Sequence, residues 1–169
     1  PLAPPPAGAD PWLHHAGGTL DGVTGRLDHL AALGADVVYL TPIFRAPSNH
    51  KYDTASFDEV DPRFGGDAAF DRLASACRER GMGLVLDGVF NHVGETHDWF
   101  RAARADANHP HSRFFRFARH PEDYARWRGM GWLPELALDR EPVAAALLDG
   151  EAAVLRRGLR RGAPGFRLD

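Results

Sequence analysis

Apolar residues along the chain follow two spacings, one typical of helices and one typical of buried strands. Five of them lie three or four positions apart and predict an amphipathic helix: Leu20, Val23, Leu27, Leu30 and Leu33. Gly34 marks the end of this helix, as glycine commonly does just past a helix. Val37–Leu40 follows as a short continuous apolar run, which is typical of a parallel strand covered on both faces.

The same order of helix and strand then recurs. A second helix is predicted over residues 67–80 by three apolar positions, and Gly81 closes it: Phe70, Leu73 and Cys77. Residues 84–86 form a second buried strand, which ends at Asp87. The residues between the first strand and the second helix, 43–66, are polar and aromatic and predict a long loop.

A third helix and a third strand complete the pattern. A further apolar series, broken by glycine and proline at 162–164, predicts the helix: Val143, Leu147, Ala152, Leu155 and Leu159. Residues 165–169 form the strand. Alternating helices and strands imply parallel strands joined by right-handed crossovers, which allows an open doubly wound α/β sheet or a TIM barrel. The glycine-rich turn that a dinucleotide-binding fold requires is absent from the sequence.

Two segments lack this alternation. Residues 1–16 are rich in proline and read as a loop, while residues 93–136 form an insertion between residues 17–92 and 137–169. An insertion of this length inside a compact fold is usually functional or a small subdomain. Its aromatic residues are expected to form the subdomain's own small core, with one or two of them lining a cleft: Trp99, Phe100, Phe114, Phe115, Phe117, Tyr124, Trp127 and Trp132.

Composition narrows the function classes. With 169 residues, 44% of them apolar, and a formal charge of −3, the chain can build a core and has no electrostatic case for nucleic acid as a partner. Lys51 is the only lysine; a biased codon usage explains this better than an anion-binding surface, since the arginines are spread out. Cys77, the single cysteine, permits no intrachain disulfide and fits a buried helical stripe.

Nothing in the sequence predicts a membrane partner. No apolar run reaches the length of about 18 to 20 residues that a membrane span needs. No signal peptide is visible, which favours a cytoplasmic location. The sequence begins without methionine, so a targeting segment could precede it and the location stays open.

Chemically useful side chains lie where the predicted strands end. His50, Tyr52 and Asp53 follow the first strand, Asp87 to His92 follow the second, and Asp169 ends the third. In both parallel architectures, reactive residues gather at the carboxyl ends of strands. Paired carboxylates are the usual apparatus for cleaving glycosides, and an arginine two residues before a carboxylate projects to the same face of the strand and favours its ionised form.

Five segments carry a resemblance to a known family. Residues 86–92 (LDGVFNH) and 165–169 (GFRLD) resemble the first and second conserved regions of the α-amylase superfamily, glycoside hydrolase family 13. Residues 48–54 (SNHKYDT) are similar to the tyrosine loop of its neopullulanase, cyclomaltodextrinase and maltodextrin glucosidase branch. Residues 17–22 (GGTLDG) and 133–136 (LPEL) resemble the lead-in to its first helix and the end of its domain B.

The resemblance implies a partial (β/α)8 barrel, with about strands two to four in residues 17–92 and 137–169 and domain B in residues 93–136. It implies that Asp169 is the nucleophile of a retaining mechanism and that Arg167 orients and supports it. It also implies that His92 and Tyr52 contact one sugar beside the cleaved bond and that Asp87 is a buried partner of Arg167.

Other site residues have less specific implications. Asp53 serves equally well as a scaffold or a site residue, and His50 lies in the same loop, within reach of a substrate. Asn91 ligates calcium in many members, but this branch often lacks the ion, so the expectation is no cofactor, with calcium left open. The implied partners are an α-glucan or maltooligosaccharide, the remainder of the barrel and, as in much of this branch, a second copy of the chain.

The family's mechanism also needs a glutamate acid/base, which belongs to the strand after Asp169. Residues 1–169 by themselves are therefore expected to be inactive, and three strands of eight would leave sheet edges unpaired. The leading function is an α-glucan hydrolase. The alternatives are a transglycosylase or isomerase of the same superfamily, and a non-enzymatic carbohydrate-binding relative. Linkage preference stays open.

Overall fold

The computed structural model describes residues 6–169, so residues 1–5 of the proline-rich segment lie outside the described part. The described residues form seven strands: β1 (Val37–Leu40), β2 (Phe44–Arg45), β3 (Ser56–Val60), β4 (Gly83–Gly88), β5 (Phe117–Arg119), β6 (Asp123–Tyr124) and β7 (Gly165–Leu168). The α-helices are α1 (Leu20–Thr24), α2 (Leu27–Ala32), α3 (Gly66–Glu79), α4 (Asp98–Ala105), α5 (Glu141–Ala144) and α6 (Val154–Arg160). Among these residues, none of the helices combines the length and the apolar character needed to cross a membrane.

A parallel sheet in the order β1-β4-β7 forms the centre of the fold. Leu40 pairs with Leu86, which in turn pairs with Phe166, so the three strands end at one edge. The register also sets Asp87 opposite Arg167 on adjacent strands. The predicted parallel order of the three strands is confirmed, and the chemically useful strand ends do share one edge of the sheet.

The first predicted helix is two helices. α1 and α2 are separated at Gly25 and Arg26, because Arg26 has a φ of −117° and a ψ of 2°, outside the α-helical region. Thr19 caps the start of α1 by accepting a hydrogen bond from Gly22 N at 3.1 Å. Leu20 in α1 and Leu27 in α2 are both buried, so the two helices still direct apolar residues to the same core.

Two further expectations were wrong in detail. The long loop over 43–66 contains an antiparallel pair, β2 with β3, in which Phe44 lies opposite Val60. The single helix predicted over 143–159 is divided into α5, a π-helical turn at Ala145–Asp149, and α6. Gly150 follows that turn, and a Cβ there would lie only 2.3 Å from the carbonyl oxygen of Ala145, so the close approach requires glycine.

The buried residues form two clusters. One lies between α1 to α3 and the parallel sheet, and Cys77 is buried within it as expected. The other combines insertion aromatics such as Phe100 and Phe115 with Phe57, Phe90 and the helices near Val143. The expectation of a core belonging to the insertion alone was therefore wrong: the insertion packs its aromatic rings onto β3 and the segment that follows β4, which fixes its position beside the sheet edge.

Candidate functional site

The side chain of Asp87, at the end of β4, has no exposed surface and accepts hydrogen bonds from three neighbours. Tyr39 OH donates a short bond to Oδ2, Tyr52 OH donates to the same oxygen at 3.1 Å, and Arg167 Nη1 lies 3.3 Å from both carboxylate oxygens. The bond to Asp87, followed by burial, raises the pKa of Tyr39 to about 12. A buried carboxylate with three donors is stabilised in one orientation and serves as an anchor for the residues around it.

Arg167, on β7, joins Asp87 to Asp169. The same Nη1 atom lies 2.5 Å from Asp169 Oδ1. The hydrogen bonds that Arg167 donates to Asp169, and then to Asp87, raise the pKa of Arg167 above its ordinary value, so the guanidinium stays charged. We call Asp87, Arg167 and Asp169 the strand-end cluster. Asp169 is the more open of its two carboxylates, because its side chain keeps 22% of its surface exposed while that of Asp87 has none.

The loop over residues 48–54 is held in shape by its own side chains and brings Tyr52 to this cluster. Asp53 accepts a short bond from Ser48 Oγ and another from Ser48 N at 3.3 Å. Ser48 Oγ in turn accepts from Lys51 N at 3.0 Å. Burial, followed by the charge of Asp87, raises the pKa of Tyr52, so its hydroxyl stays protonated as the donor. Asp53 therefore acts in this structure as a scaffold, while it also lies on the cleft wall.

His92 is buried in the segment that follows β4, and its ring packs against Trp127, with 5.1 Å between the two ring centroids. Among residues 6–169, neither ring nitrogen of His92 has a hydrogen-bond partner. Burial lowers the pKa of His92, and the negative charges of Asp169, Glu135 and Asp53 oppose that shift. A neutral imidazole with two unpaired nitrogens can both donate to and accept from a ligand hydroxyl.

The backbone around His92 is fixed by two neighbouring segments. Val93 N donates to Pro134 O at 3.1 Å, and Leu136 N donates to Asn91 O at 2.9 Å, so the LPEL segment lies directly on the histidine loop. Gly94 N donates to Thr54 O at 2.9 Å on the other side. A Cβ at Gly94 would lie 2.5 Å from Asp53 O, so only glycine allows this contact between the two loops.

These residues surround a cleft of about 980 Å³ at the carboxyl edge of the sheet. Five of the predicted site residues line it: His50, Tyr52, Asp53, His92 and Asp169. The other lining residues are Asp10, Trp12, Leu13, Ser48, Glu95, Trp127, Met130, Trp132 and Leu133. The volume lies in the range of small-molecule sites, and aromatic faces beside carboxylates and an unpaired imidazole are suited to a polyhydroxylated ligand.

Two predicted residues contribute in other ways. Arg167 is not among the lining residues of the cleft and contacts both carboxylates of the strand-end cluster. Asn91 is partly buried, and its carbonyl holds Leu136. Residues 6–169 contain no group of three or more histidine, cysteine or acidic side chains that could hold a metal ion. Calcium ligation by Asn91 stays a prediction.

Sequence reasoning missed several residues that shape the site. Tyr39 donates to Asp87, Trp12 lines the cleft from the proline-rich segment, and Lys51 forms a buried ion pair with Asp61 beneath the Tyr52 loop. Two of them had a usable signal. Tyr39 is the one residue with a polar tip in an otherwise aliphatic strand, and Lys51 is the one lysine in a chain that otherwise uses arginine.

The parallel β/α units, the insertion after β4 and the carboxylate-lined cleft define an α/β protein with a candidate site at the carboxyl ends of its parallel strands. The family model described as the catalytic domain of alpha-amylase matches residues 7–169. The chain therefore belongs to the α-amylase catalytic-domain family, and the prediction of a partial (β/α)8 barrel is confirmed.

Individual proteins are similar over part of their length. A cyclomaltodextrinase from Geobacillus thermopakistaniensis is 50% identical over 96 residues, covering 53% of this chain and 16% of the relative. The intracellular maltogenic amylase of Bacillus subtilis is 38% identical over 137 residues, covering 79% of this chain and 23% of the relative. A structure of the cyclic alpha-maltosyl-(1→6)-maltose hydrolase from Arthrobacter globiformis in complex with maltose superposes with a TM-score of 0.86 at 34% identity, covering 100% of this chain and 40% of that one.

Proposed function

We propose that this chain supplies the nucleophile side of the active site in a retaining hydrolase of α-glucans or maltooligosaccharides. The observation that carries the proposal is the strand-end cluster: Asp169 opens into the cleft while Arg167 ties it to the buried Asp87. The relatives named cyclomaltodextrinase and maltogenic amylase support an α-glucan as the substrate class. The chain spans less than a quarter of each of these two relatives, so this activity is proposed for the complete polypeptide.

In the proposed mechanism, a carboxylate oxygen of Asp169 attacks the anomeric carbon of the sugar bound beside Tyr52. The bond to the leaving-group oxygen breaks as a glutamic acid protonates that oxygen, and a glycosyl ester of Asp169 remains. The same glutamate, now a carboxylate, then takes a proton from water, whose oxygen displaces Asp169 and releases the sugar. The family places that glutamate on the strand after Asp169, so we propose that residues 1–169 by themselves do not turn over substrate.

The neighbours of Asp169 have separate parts in this proposal. Arg167 holds the nucleophile in position and balances its charge. Tyr52 presents its ring to the sugar while its hydroxyl stays on Asp87. His92 uses its two unpaired nitrogens for hydroxyls of the same sugar. Asp53 and His50 shape the loop that carries Tyr52.

Substitution of the nucleophile tests the proposal. In the complete polypeptide, Asp169→Asn is expected to lower kcat for maltotriose by roughly 10⁴-fold, because the amide cannot form the glycosyl ester. Binding of maltotriose, measured by calorimetry, should stay within a few-fold of wild type. Asp28→Asn, on the exposed surface of α2, is the matched control and should retain wild-type turnover. A wild-type rate in Asp169→Asn would sink the proposal.

The products of maltotriose decide between hydrolysis and transfer. Free glucose with new reducing ends indicates that water attacks the intermediate, while redistribution into shorter and longer chains indicates a transglycosylase. Specific binding without either product would indicate a non-enzymatic relative.

We also propose a cytoplasmic location, supported by the Bacillus subtilis relative that is named intracellular.

A further inference from the structure

Two tryptophan side chains remain exposed at the mouth of the cleft. The exposed fraction is 63% for Trp12 and 43% for Trp132, although both residues line the cleft. His50 lies between them, with its ring centroid 5.3 Å from that of Trp12 and 6.3 Å from that of Trp132. Large exposed aromatic rings that share a concave surface mark a binding site more often than a random patch does.

The segment that carries Trp12 is fixed to the cleft by one side chain. Asn49 Nδ2 donates to Pro11 O at 2.7 Å and to His14 O at 2.9 Å, and Asn49 N donates to Trp12 O at 2.7 Å. Asp10 accepts from Trp12 N at 2.9 Å. Four hydrogen bonds therefore hold the backbone on both sides of a ring that is not buried. Because the segment is already ordered, a ligand that contacts Trp12 has little loop entropy to overcome.

The two tryptophans continue a row of rings that begins at the strand-end cluster. The ring of His50 is stacked on Tyr52 at 5.9 Å with an interplanar angle of 28°, and Tyr52 N donates to His50 Nδ1 at 3.1 Å. Tyr52 in turn bonds to Asp87. Aromatic faces thus run from Asp87 through Tyr52 and His50 to Trp12, along one wall of the cleft.

We propose that Trp12 and Trp132 form a distal sugar site, which takes a glucosyl unit of the same α-glucan farther from Asp169 than the unit at Tyr52. The apolar face of a pyranose ring fits a tryptophan face, and its hydroxyls need polar groups at the ring's rim. Asp10 and Glu95 line the cleft near these rings, and Glu95 N donates to Trp132 O at 3.0 Å. This inference rests on the proposed function, and it adds that the affinity should depend on the number of glucosyl units in the ligand.

The charges of the cleft favour a neutral ligand over other occupants of an aromatic surface. Among residues 6–169, its lining includes no lysine or arginine and four acidic residues: Asp10, Asp53, Glu95 and Asp169. An anionic lipid surface or a nucleic acid would be repelled by such a lining. A neutral oligosaccharide meets no such repulsion and uses the carboxylates as hydrogen-bond acceptors.

The test is a series of ligands of increasing length. Asp169→Asn in the complete polypeptide provides the background, since it binds without turnover, and maltose, maltotriose, maltotetraose and maltopentaose are titrated by calorimetry. Adding Trp12→Ala should weaken binding of the longest ligands by roughly 5- to 10-fold and leave the shortest unchanged, because only longer chains reach the distal ring. Trp132→Ala should show the same dependence on length, and Trp12→Phe, which keeps a ring, should lose less.

Leu33→Ala is the matched control, because Leu33 is an exposed apolar side chain at the end of α2, outside the cleft lining. It should leave all four affinities unchanged. An equal loss for every ligand length in Trp12→Ala, or no loss for any, overturns the distal site while the proposed function stands. If the background protein binds none of the four ligands, the proposed function fails and the distal site fails with it.

Discussion

Two networks of opposite charges lie on either side of Tyr52, and they differ in access to solvent. In the strand-end cluster, the Arg167 side chain is 49% exposed and contacts a buried Asp87 and a partly open Asp169. In the second network, Lys51 Nζ lies 2.6 Å from Asp61 Oδ2, and the two side chains are 0% and 3% exposed. One network opens into the cleft, and the other is sealed beneath the loop.

The sealed pair satisfies every donor of its cation. Besides Asp61, Lys51 Nζ donates to Ala46 O at 3.2 Å and to Ser48 O at 3.0 Å, which accounts for the three donors of an ammonium group. Arg167, in contrast, uses only Nη1 in the hydrogen bonds of the described residues, although a guanidinium has five donors. Among the described residues, the open network leaves donors of its cation unused, and the sealed pair leaves none.

The sealed pair instead fixes backbone geometry. Lys51 has a φ of 67°, in the left-handed region that non-glycine residues rarely adopt, and it directly precedes Tyr52. Such a conformation persists only where surrounding contacts over-determine it. The ion pair with Asp61, together with the two carbonyls, supplies those contacts. The strand-end cluster thus reaches the cleft through Asp169, whereas the sealed pair fixes the backbone that carries Tyr52.

The largest expected effect comes from breaking the sealed pair. Lys51→Met leaves Asp61 as a buried charge without its ammonium partner, so we expect the free energy of unfolding of the complete polypeptide to fall by about 3 to 5 kcal/mol. Urea denaturation measures it. The double variant Lys51→Met, Asp61→Leu removes both charges and should recover much of the loss. A loss below about 1 kcal/mol in Lys51→Met would contradict this expectation, because it would equal the contribution of an ordinary surface ion pair.

Acid provides a second way to separate the sealed pair from exposed ones. Burial raises the pKa of Asp61, but the hydrogen bond from Lys51, the backbone N–H of Arg63 and both positive charges outweigh burial and hold that pKa below its ordinary value of 3.8. The folded state thus favours the ionised carboxylate. Its contribution to stability is fully present above the unfolded pKa and is lost as pH falls through the folded pKa.

We therefore expect wild-type stability to fall between pH 5 and the acid limit more steeply than that of Asp61→Asn, as measured by urea denaturation at each pH. Asp28→Asn is the comparison on the surface. The pKa of Asp28 is also lowered, by its hydrogen bond with Arg80, but Asp28 is exposed. High salt should remove any difference between the acid curves of wild type and Asp28→Asn, and it should preserve the difference between wild type and Asp61→Asn. Parallel acid curves for wild type and Asp61→Asn would contradict this expectation.

The open network could be anticipated from the sequence because it depends on a general property of parallel sheets. Strands that run parallel end at one edge, so Asp87 and Asp169 had to lie near each other once β4 and β7 were recognised. The placement of Arg167 on the same face as Asp169 followed from the alternation of side chains along a strand. Motif resemblance added Tyr52 and His92, which carry no periodic signal of their own.

The sealed pair and the tryptophan site could not be anticipated in this way. A lysine in a polar loop is ordinarily solvated, and nothing local in the sequence indicates that Asp61 closes over Lys51. The segment around Trp12 is held by hydrogen bonds from Asn49, a residue far from it in the sequence. The break between α1 and α2 and the pairing of β2 with β3 were missed for a related reason, since short elements are decided by tertiary contacts that override local propensity.

The smallest expected effect is the loss of stability when either hydroxyl donor of the open network, Tyr39 or Tyr52, is removed. Tyr39→Phe removes a donor to the buried carboxylate of Asp87, while Tyr52 and Arg167 remain, so we expect a loss of about 1.5 kcal/mol in the free energy of unfolding. Tyr52→Phe should cost a similar amount, and it keeps the ring that faces the cleft. Urea denaturation of both variants, with calorimetry of maltotriose binding, measures the two effects. If Tyr39→Phe destabilised the protein as strongly as Lys51→Met, Asp87 would depend on a single donor, and the contrast between an adaptable open network and a rigid sealed pair would fail.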